Sequence, residues 1–388
     1  MLLRADQTIA RRYNRAQILN RLRIQGSASR ADLARQTGLT RSTISRIIDE
    51  LTEEKLVHEI AENQNLKGRP GTLLTLNPLG GSAIGIEIGV HFISIMLTDF
   101  ISTPIWHERK EISGSTDPET YITQTEDLIN KAITIADQNH LPVKGIGVAV
   151  WGMINQLTHK IHFAPNLHWH DISIEERWNK LFNIPVIVEN DANAAALGEY
   201  YFGNGKGIED FIYLSMDIGV GAGIISKGYL FRGASGYAGE IGHITVDPQG
   251  EPCNCGKRGC LETKIGRHVI IDRYKNLAHI NDINLENIIQ RGQAGDPIAK
   301  KVFEEAGEAI GYGVSYAVNL LNPSTIIFGW SLGQAFSLIL PGVRRALSER
   351  CLPDLLEDLV LISSMKGSDD ALFGCIALVL DEIIREII

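Results

Sequence analysis

The sequence predicts a mostly helical amino-terminal module of the winged helix-turn-helix type, residues 1–77, followed by an α/β body of two related lobes, residues 82–388. Three observations predict this division. Residues 1–76 carry 13 Lys and Arg against 8 Asp and Glu, a net charge of +5, although the whole chain has a net charge of −9. Within that basic region, a glycine separates two short segments with helix-capping residues. In the remainder, an acidic-x-Gly turn inside an apolar hairpin occurs twice, about 130 residues apart.

The composition is that of a folded protein with more than one domain. At 388 residues the chain is too long for one compact core, and 44% hydrophobic with 21% charged residues excludes wholesale disorder. No apolar stretch reaches the roughly 18 residues of a membrane-spanning helix, and the amino end lacks an apolar signal segment. We therefore expect a cytoplasmic protein. Its charge asymmetry is expected when only the amino-terminal part meets phosphate, although solvated arginines on an exposed helix are the alternative.

Three helices are predicted in the amino-terminal module. The first covers Ile9–Ile24, with an apolar face formed by Ile9, Tyr13, Ala16, Ile18, Leu19 and Leu22. Ser29 is placed to cap a short second helix, and Gly38 supplies the tight turn that follows it. Thr40 is placed to cap a third helix, Arg41–Glu54, whose inward residues are Ile44, Ile47, Ile48 and Leu51.

The predicted contacts with double-stranded operator DNA lie on this third helix and on a basic loop after it. The first turns of a recognition helix reach base edges in the major groove, which here would present Arg41, Ser42, Thr43, Ser45 and Arg46. Two short strands, Leu56–Ile60 and Thr72–Leu76, flank the polar loop Glu62–Gly71, where Lys67 and Arg69 could meet a phosphate or a narrow minor groove. A helical protein-interaction module is the alternative.

The remainder has an α/β rhythm with a duplicated beginning. Apolar hairpins are predicted at Ser82–Thr98 and Phe211–Phe231. Helices are predicted at Thr120–Gln138, Ala192–Tyr201, Asp296–Leu321 and Asp369–Ile388, and strands at Val143–Val150, Pro185–Val188 and Thr325–Phe328. We assign residues 82–190 and the carboxyl-terminal helix to one lobe and residues 191–370 to the other. A cleft between two such lobes normally binds a small molecule.

One imidazole and three thiols have the spacing of a zinc site. The pattern His-x9-Cys-x-Cys-x4-Cys consists of His243, Cys253, Cys255 and Cys260, all within or beside a predicted zinc loop at 243–260. Four protein ligands leave no open coordination position, so the expected metal is structural, with one zinc per chain. The alternative is that these are reduced cysteines that bind nothing. Cys351 and Cys375 lie in apolar surroundings and are expected to be core residues.

Three segments of the chain resemble the ROK family of repressors, open reading frames and kinases. Gly233–His243 with the following Cys-x-Cys-Gly-x-x-Gly-Cys-Leu-Glu run resembles the signature of the family, and Glu189–Ala195 and Pro165–Leu167 resemble its sugar-binding segments. The pattern is most similar to the xylose repressors of bacteria. The resemblance implies an actin-like, sugar-kinase-like (ribonuclease H-like) body and a repressor acting as a homodimer or a dimer of dimers.

The resemblance also implies an effector pocket for a monosaccharide, with xylose and glucose as the first candidates. The implied sugar-binding residues are Asn166, Asn190, Asp191, Glu240, His243 and Glu262. Carboxylates and amides suit this role because they form paired hydrogen bonds with vicinal hydroxyls. His243 would bind zinc through one ring nitrogen and face the sugar with the other.

Two functions are compatible with the resemblance, an ATP-dependent sugar kinase and a sugar-responsive repressor. The kinases of the family have an acidic-x-Gly-x-Thr loop where this chain has Glu87–His91, and Gly-Thr-Gly-x-Gly where it has Asp217–Gly221. A third, glycine-rich element of the kinases is replaced here by Gly329–Ser331. The indole of Trp330 in this segment would fill space that a nucleotide needs. These departures favour a repressor that binds no ATP and is not an enzyme. By analogy with xylose repressors, sugar is expected to release the protein from DNA.

Overall fold

We describe a computed structural model of the chain, which covers residues 7–61, 72–113 and 116–386. The predicted basic loop Glu62–Gly71, with Lys67 and Arg69, lies outside the described residues.

The amino-terminal module has three helices and a three-stranded sheet. Its elements are α1 (Gln7–Gln25), β1 (Ala28–Ser29), α2 (Arg30–Thr37), α3 (Arg41–Glu53), β2 (Val57–Ala61) and β3 (Thr72–Leu76), with the sheet order β1-β3-β2. The Ser29 hydroxyl accepts from the Asp32 amide at 3.1 Å, and the Thr40 hydroxyl accepts from the Thr43 amide at 3.2 Å. Gly38 ends α2 in the left-handed region, with φ of 72°. Both predicted caps and the predicted glycine turn are confirmed.

The predicted apolar face is correct for α3 and partly wrong for α1. The inward residues of α3 are fully buried, as are Ile18, Leu19 and Leu22 of α1. Tyr13, however, is 54% exposed. The reason is that the first half of α1 contacts α3 through ion pairs, in which Arg11 and Arg15 bind Glu50 at 2.7 and 3.4 Å. The side chain of the predicted Ile9 lies outside the described residues, and from Ala10 onward the apolar packing of α1 begins at Ala16.

The first lobe begins after a short 3-10 turn at Pro78–Gly80. Its elements are β4 (Ser82–Ile88), β5 (Phe92–Asp99), β6 (Pro104–Glu111), α4 (Pro118–Gln138), β7 (Val143–Val150), β8 (Met153–Asn155), β9 (Lys160–Ala164), β10 (Trp169–Ile172), α5 (Ile174–Phe182) and β11 (Val186–Asn190). The main sheet has the order β11-β7-β4-β5-β6, and β8–β10 form a small separate sheet.

The second lobe and the final helix follow. Their elements are α6 (Asp191–Phe202), β12 (Phe211–Met216), β13 (Val220–Ser226), β14 (Tyr229–Leu230), α7 (Glu262–Ile265), α8 (Arg267–Ala278), α9 (Leu285–Gln293), α10 (Pro297–Leu321), β15 (Thr325–Phe328), α11 (Trp330–Gln334), α12 (Phe336–Arg350), α13 (Pro353–Leu356), β16 (Val360–Ser363) and α14 (Asp370–Glu386). The sheet order is β14-β13-β12-β15-β16.

The two main sheets have the same topology. In each, the first strand pairs antiparallel with the second and parallel with the fourth, and the second pairs antiparallel with the third. The fifth strand then pairs parallel with the fourth. This repetition confirms the duplication that the two acidic-x-Gly hairpins predicted.

Helices α6 and α14 cross at the centre of the body, with their backbones almost in contact. A Cβ atom on Gly374 would lie 1.7 Å from the Ala194 carbonyl oxygen, and one on Gly198 would lie 2.2 Å from the Asp370 carbonyl oxygen. Any side chain at either glycine would therefore force the helices apart. Helix α14 also packs on β4 and β7 and shares a core with α1. Among the described residues, no helix, α14 included, has the length and apolarity that crossing a bilayer demands.

Candidate functional site

A polar pocket lies between the two lobes, and all six predicted effector residues line it. The first lobe contributes the ends of β7 and β11 and the loop at Pro165–Asn166, and the second contributes β12, the start of β13 and the segment after β14. The lining residues include Trp151, Gly152, Met153, Asn166, Asn190, Asp191, Ser215, Gly239, Glu240, His243 and Glu262.

Two glycines hold the Glu240–His243 segment against β13. A Cβ on Gly239 would lie 1.9 Å from the Ala222 carbonyl oxygen, and one on Gly242 would lie 2.1 Å from that of Val220. Gly239 also has φ of 96°, which disfavours other residues. The Ala222 amide donates to the Gly239 carbonyl at 2.8 Å. This close contact explains why the Gly-x-x-Gly spacing accompanies the pocket.

Asn190 and Asp191 lie where β11 ends and α6 begins. The side-chain oxygen of Asn190 caps α6 by accepting from the backbone amide of Asn193 at 3.1 Å. The side-chain nitrogen of Asn190 donates to the backbone carbonyl of Gly152 at 3.1 Å. Asp191 accepts from the Ser215 hydroxyl at 3.3 Å. The Asn190 side chain also donates to the other Asp191 carboxylate oxygen at 3.1 Å. Because each carboxylate oxygen can accept a second hydrogen bond, Asp191 is still the better placed of the two to accept a ligand hydroxyl.

Three carboxyl groups meet in this pocket. Burial raises the pKa of Asp191 to about 7. Burial, and then the charges of Asp191 and Glu262, raise the pKa of Glu240 to about 7. No lysine or arginine is among the described lining residues. An acidic pocket of this kind suits neutral groups that donate hydrogen bonds and disfavours anions.

A buried ion pair between the lobes supports the start of α6. Glu189 is 1% exposed and accepts from the Arg232 guanidinium at 2.7 Å. The other carboxylate oxygen of Glu189 accepts from the Asn193 side chain at 3.1 Å and from the backbone amide of Asn190 at 2.9 Å. Sequence reasoning missed this pair, as it missed Trp151 and Ser215, although polar residues at strand ends beside a cleft are a usable sign.

The predicted metal ligands come together. One ligand atom from each of His243, Cys253, Cys255 and Cys260 lies within 4.8 Å of all the others. The Cys253 sulfur is 3.7 Å from His243 Nδ1, and the Cys255 and Cys260 sulfurs are 3.7 Å apart. Three sulfurs and one imidazole nitrogen at these separations fit a tetrahedral, thiolate-preferring cation. The other ring nitrogen of His243 lies 3.9 Å from Glu240 Oε2, on the pocket side.

The three segments that depart from the nucleotide-binding pattern meet in one apolar cluster, which we call the aromatic plug. It consists of Val90, Phe92, Trp151, Ile218 and Trp330. The ring centroids of Trp151 and Trp330 are 5.1 Å apart with their planes nearly perpendicular, and Phe92 lies 6.0 Å from Trp330. Since Trp151 also lines the polar pocket, the plug closes the pocket on one side.

Glu87 and Asp217, the acidic residues of the two acidic-x-Gly turns, make structural contacts within the protein. Glu87 is fully buried and accepts from the Trp151 indole nitrogen at 3.0 Å. Burial raises the pKa of Glu87 well above its usual range. Asp217 accepts from the Ser331 hydroxyl at 2.5 Å and from Arg267 at 3.3 Å. Both side chains therefore hold the plug and its neighbours in place.

The predicted recognition helix presents two arginines to solvent. Arg41, Ser42 and Arg46 are exposed, whereas Thr43 and Ser45 are partly buried and the Thr43 hydroxyl lies 2.9 Å from that of Thr40. Within the described part of the chain, no salt bridge involves Arg41 or Arg46. By contrast, other arginines of the module are paired with acids, namely Arg11, Arg15, Arg30 and Arg35.

The fold and the pocket define a two-lobed protein of the sugar-kinase type, preceded by a helix-turn-helix module. Residues 83–382 match the ROK family and residues 12–64 match the MarR family. A xylose repressor of Caldicellulosiruptor bescii is 33% identical over 98% of both chains. A crystal structure of a ROK family transcriptional regulator, a homologue of Escherichia coli Mlc, has a TM-score of 0.85 and 27% identity, over 97% of this chain and 98% of its own.

A ROK glucokinase of Streptomyces griseus, solved with glucose and AMPPNP, has a TM-score of 0.69 and 28% identity. It covers 77% of this chain and 99% of its own length. The chain belongs to the ROK family, and its body has the fold that the family's kinases and regulators share.

Proposed function

We propose that this protein is a transcriptional repressor that binds operator DNA through α3 and is released by a neutral monosaccharide. The observation that carries the proposal is the contrast between the two sides of the cleft. The polar pocket brings together all six effector residues, while the aromatic plug occupies the region where the three nucleotide elements would meet. A chain with a sugar pocket, a filled nucleotide region and a helix-turn-helix has the parts of a sensor.

The chemistry of the pocket supports an uncharged sugar as effector. Asp191, Glu240 and Glu262 can accept hydrogen bonds from vicinal hydroxyls, and the ring of Trp151 can pack against a C–H face. D-Xylose is the first candidate because the C. bescii relative is named a xylose repressor, and D-glucose is the second because the S. griseus relative binds glucose.

We propose that His243, Cys253, Cys255 and Cys260 hold one structural zinc ion. Such an ion would cross-link the loop that carries Glu240 and His243 and so fix the pocket wall. His243 would bind it through Nδ1, which leaves Nε2 toward Glu240 and the sugar.

The proposed repressor acts as a homodimer or a dimer of dimers. A helix-turn-helix normally gains affinity by reading two half-sites one or more helical turns apart. Exposed apolar side chains near the end of α10 offer a surface for self-association, namely Tyr316, Leu320, Leu321 and Leu352.

The test begins with a DNA duplex that the purified protein selects from a random-sequence pool. Its affinity is measured by fluorescence anisotropy with and without D-xylose, D-glucose, D-fructose and N-acetyl-D-glucosamine. One sugar should weaken operator binding by about 5- to 150-fold in the wild type. Asp191→Ala should bind the duplex normally and ignore the sugar, whereas Asp354→Ala, at an exposed acid on α13, should respond as the wild type does. A responsive Asp191→Ala variant contradicts the site assignment.

A coupled assay with Mg-ATP and the same sugars tests the enzyme alternative. No sugar-dependent ATP consumption is expected, because the plug occupies the region between the three nucleotide elements. Turnover in the ordinary enzyme range, roughly 1–1000 per second, would show that the protein is a kinase.

A further inference from the structure

Arg23 of the DNA-binding module is buried between the two crossing helices of the body. Its side chain is 3% exposed, and it donates to the Asp381 carboxylate at 2.7 Å and to the Ala377 carbonyl at 3.4 Å. The guanidinium carbon lies 3.5 Å from the centre of the Tyr201 ring. The Tyr201 hydroxyl donates to the same Asp381 carboxylate oxygen at 2.9 Å. Arg23, Tyr201 and Asp381 thus form one cluster, which we call the arginine clamp.

The arginine clamp and the effector pocket lie at opposite ends of one helix. Helix α6 begins at Asp191 in the pocket and ends at Phe202, directly after Tyr201 of the clamp. At 1.5 Å per residue, the ten residues from Asp191 to Tyr201 span about 15 Å. A displacement of the first turn of α6 by a bound ligand is therefore carried to Tyr201, because a hydrogen-bonded helix moves as a unit.

The helix crossing makes α14 move with α6. Gly198 and Gly374 bring the two backbones into contact, so neither helix can tilt without pushing the other. Asp381 lies on α14 beyond this crossing, and Tyr201 lies near the end of α6. Tyr201 therefore lies on the helix whose first residue lines the polar pocket, and Asp381 lies on the helix that packs against it.

A buried arginine does not readily leave its partners. Separating a buried guanidinium from its carboxylate leaves an uncompensated charge, which is strongly unfavourable. The clamp therefore holds α1 in a fixed relation to α6 and α14, and α1 carries the rest of the DNA-binding module. A change in the position of Tyr201 or Asp381 must reorient the module.

We infer that the arginine clamp couples occupancy of the polar pocket to the orientation of the DNA-binding module, with Arg23 as a positioning residue that touches neither sugar nor DNA. This inference rests on the proposed function. It adds the path by which the effector site acts, through α6 and α14 and then Arg23.

The test uses the full-length protein with three substitutions, Tyr201→Phe, Asp381→Asn and Arg23→Lys. Tyr201→Phe removes one hydroxyl and keeps the ring, so it is the variant best tolerated by the fold. The matched control is Arg345→Lys, since Arg345 also pairs with a carboxylate, 2.6 Å from Glu304, but is exposed and belongs to α12. D-Xylose and D-glucose binding is measured by calorimetry, and the selected duplex is titrated by anisotropy with and without each sugar.

The clamp variants should bind the wild-type effector sugar with a dissociation constant within about threefold of the wild type, because they lie outside the pocket. The affinity of Asp381→Asn and Arg23→Lys for the duplex should be nearly the same with and without sugar, whereas that of the wild type and Arg345→Lys should differ by about 5- to 150-fold. Tyr201→Phe keeps its ring against Arg23 and should show a smaller change than the wild type. A purely structural role would lower stability and leave this ratio intact.

The outcomes separate the two claims. If the wild type itself does not respond to any sugar of the panel, the proposed function fails and the coupling path fails with it. If the wild type responds and Tyr201→Phe and Asp381→Asn respond equally, the proposed function stands and the arginine clamp is not the coupling path. Loss of sugar binding by these variants would also overturn the inference, since it would place the residues in recognition.

Discussion

Replacing Trp330 by alanine and by glycine probes the aromatic plug and its backbone separately. Trp330 is 6% exposed and is the first residue of α11, but its φ is 57°, in the left-handed region. Both substitutions remove the indole from its contacts with Trp151 and Phe92. Only glycine relieves the unfavourable backbone conformation.

Loss of the indole and relief of the left-handed backbone change the free energy of unfolding by different amounts and in opposite directions. Loss of a buried tryptophan side chain to alanine costs about 3–5 kcal/mol of the free energy of unfolding. A left-handed backbone costs a residue with a Cβ roughly 1–2 kcal/mol, which glycine avoids. Glycine in turn loses about 0.4–1 kcal/mol through the greater freedom of the unfolded chain. We therefore expect Trp330→Gly to be more stable than Trp330→Ala by up to about 1.6 kcal/mol, with a central value of about 0.8 kcal/mol.

Urea denaturation followed by far-ultraviolet circular dichroism measures these differences without relying on the removed fluorophore. The matched control is Phe336, the aromatic first residue of α12, which has an ordinary helical backbone and packs on Phe328. There the order should reverse, with alanine more stable than glycine by up to about 1 kcal/mol. An equal or greater stability of Trp330→Ala, or the same order at both positions, would refute the reasoning.

Three further perturbations test the metal, the pocket and the DNA-binding surface. Cys255→Ser should lower the zinc content from about one per chain and lower the melting temperature, whereas Cys351→Ser should alter stability alone; mass spectrometry of freshly purified wild type without zinc would contradict this. Because the pKa of Asp191 is raised from 3.8 to about 7, the folded state binds a proton more tightly than the unfolded state. The stabilisation that protonated Asp191 gives the folded state is therefore lost as pH rises from about 4 to 7. Above about pH 7, Asp191 no longer makes the free energy of unfolding depend on pH. Sugar affinity should instead rise between about pH 6 and 8, where the Asp191 carboxylate of the folded protein forms. Asp191→Asn should reduce the pH dependence of both properties in melting and titration series and leave the part that comes from Glu240. Arg41→Ala and Arg46→Ala should each weaken duplex binding, and a phosphate contact would show as a salt-dependence slope reduced by about one; anisotropy titrations that match the wild type would remove α3 from the DNA interface.

Local features of the sequence predicted most of the elements and the metal cluster. The Ser29 and Thr40 caps and the Gly38 turn depend on contacts within four residues, so the sequence pattern contains them. The cysteine and histidine spacing is similarly short, and it predicted a cluster that the structure brings together. The strands Val143–Val150 and Thr325–Phe328 have their predicted bounds. The second of them lies between Ser324 and Gly329, where its apolar run stops abruptly.

Features that depend on distant parts of the chain were predicted poorly. Tyr13 has helical spacing with buried residues, yet it is exposed because salt bridges replace apolar contacts in that half of α1. The expectation that Trp330 fills nucleotide space did not include its packing on Trp151, which joins residues about 180 positions apart. The contact of Arg23 with Asp381 spans nearly the whole chain. No periodicity or motif encodes such pairs.

The pairing of arginines within the DNA-binding module bears on how the protein finds its operator in a genome. Arg11, Arg15, Arg30 and Arg35 are held by acids of the same module, so the cations free for phosphate contacts are fewer than the 13 Lys and Arg of residues 1–76. Affinity for random DNA depends on the number of neutralised phosphates, and a genome offers about 10⁶–10⁹ competing sites. Pairing these four arginines lowers the affinity of the module for random DNA, so fewer molecules per cell are needed to keep the operator occupied.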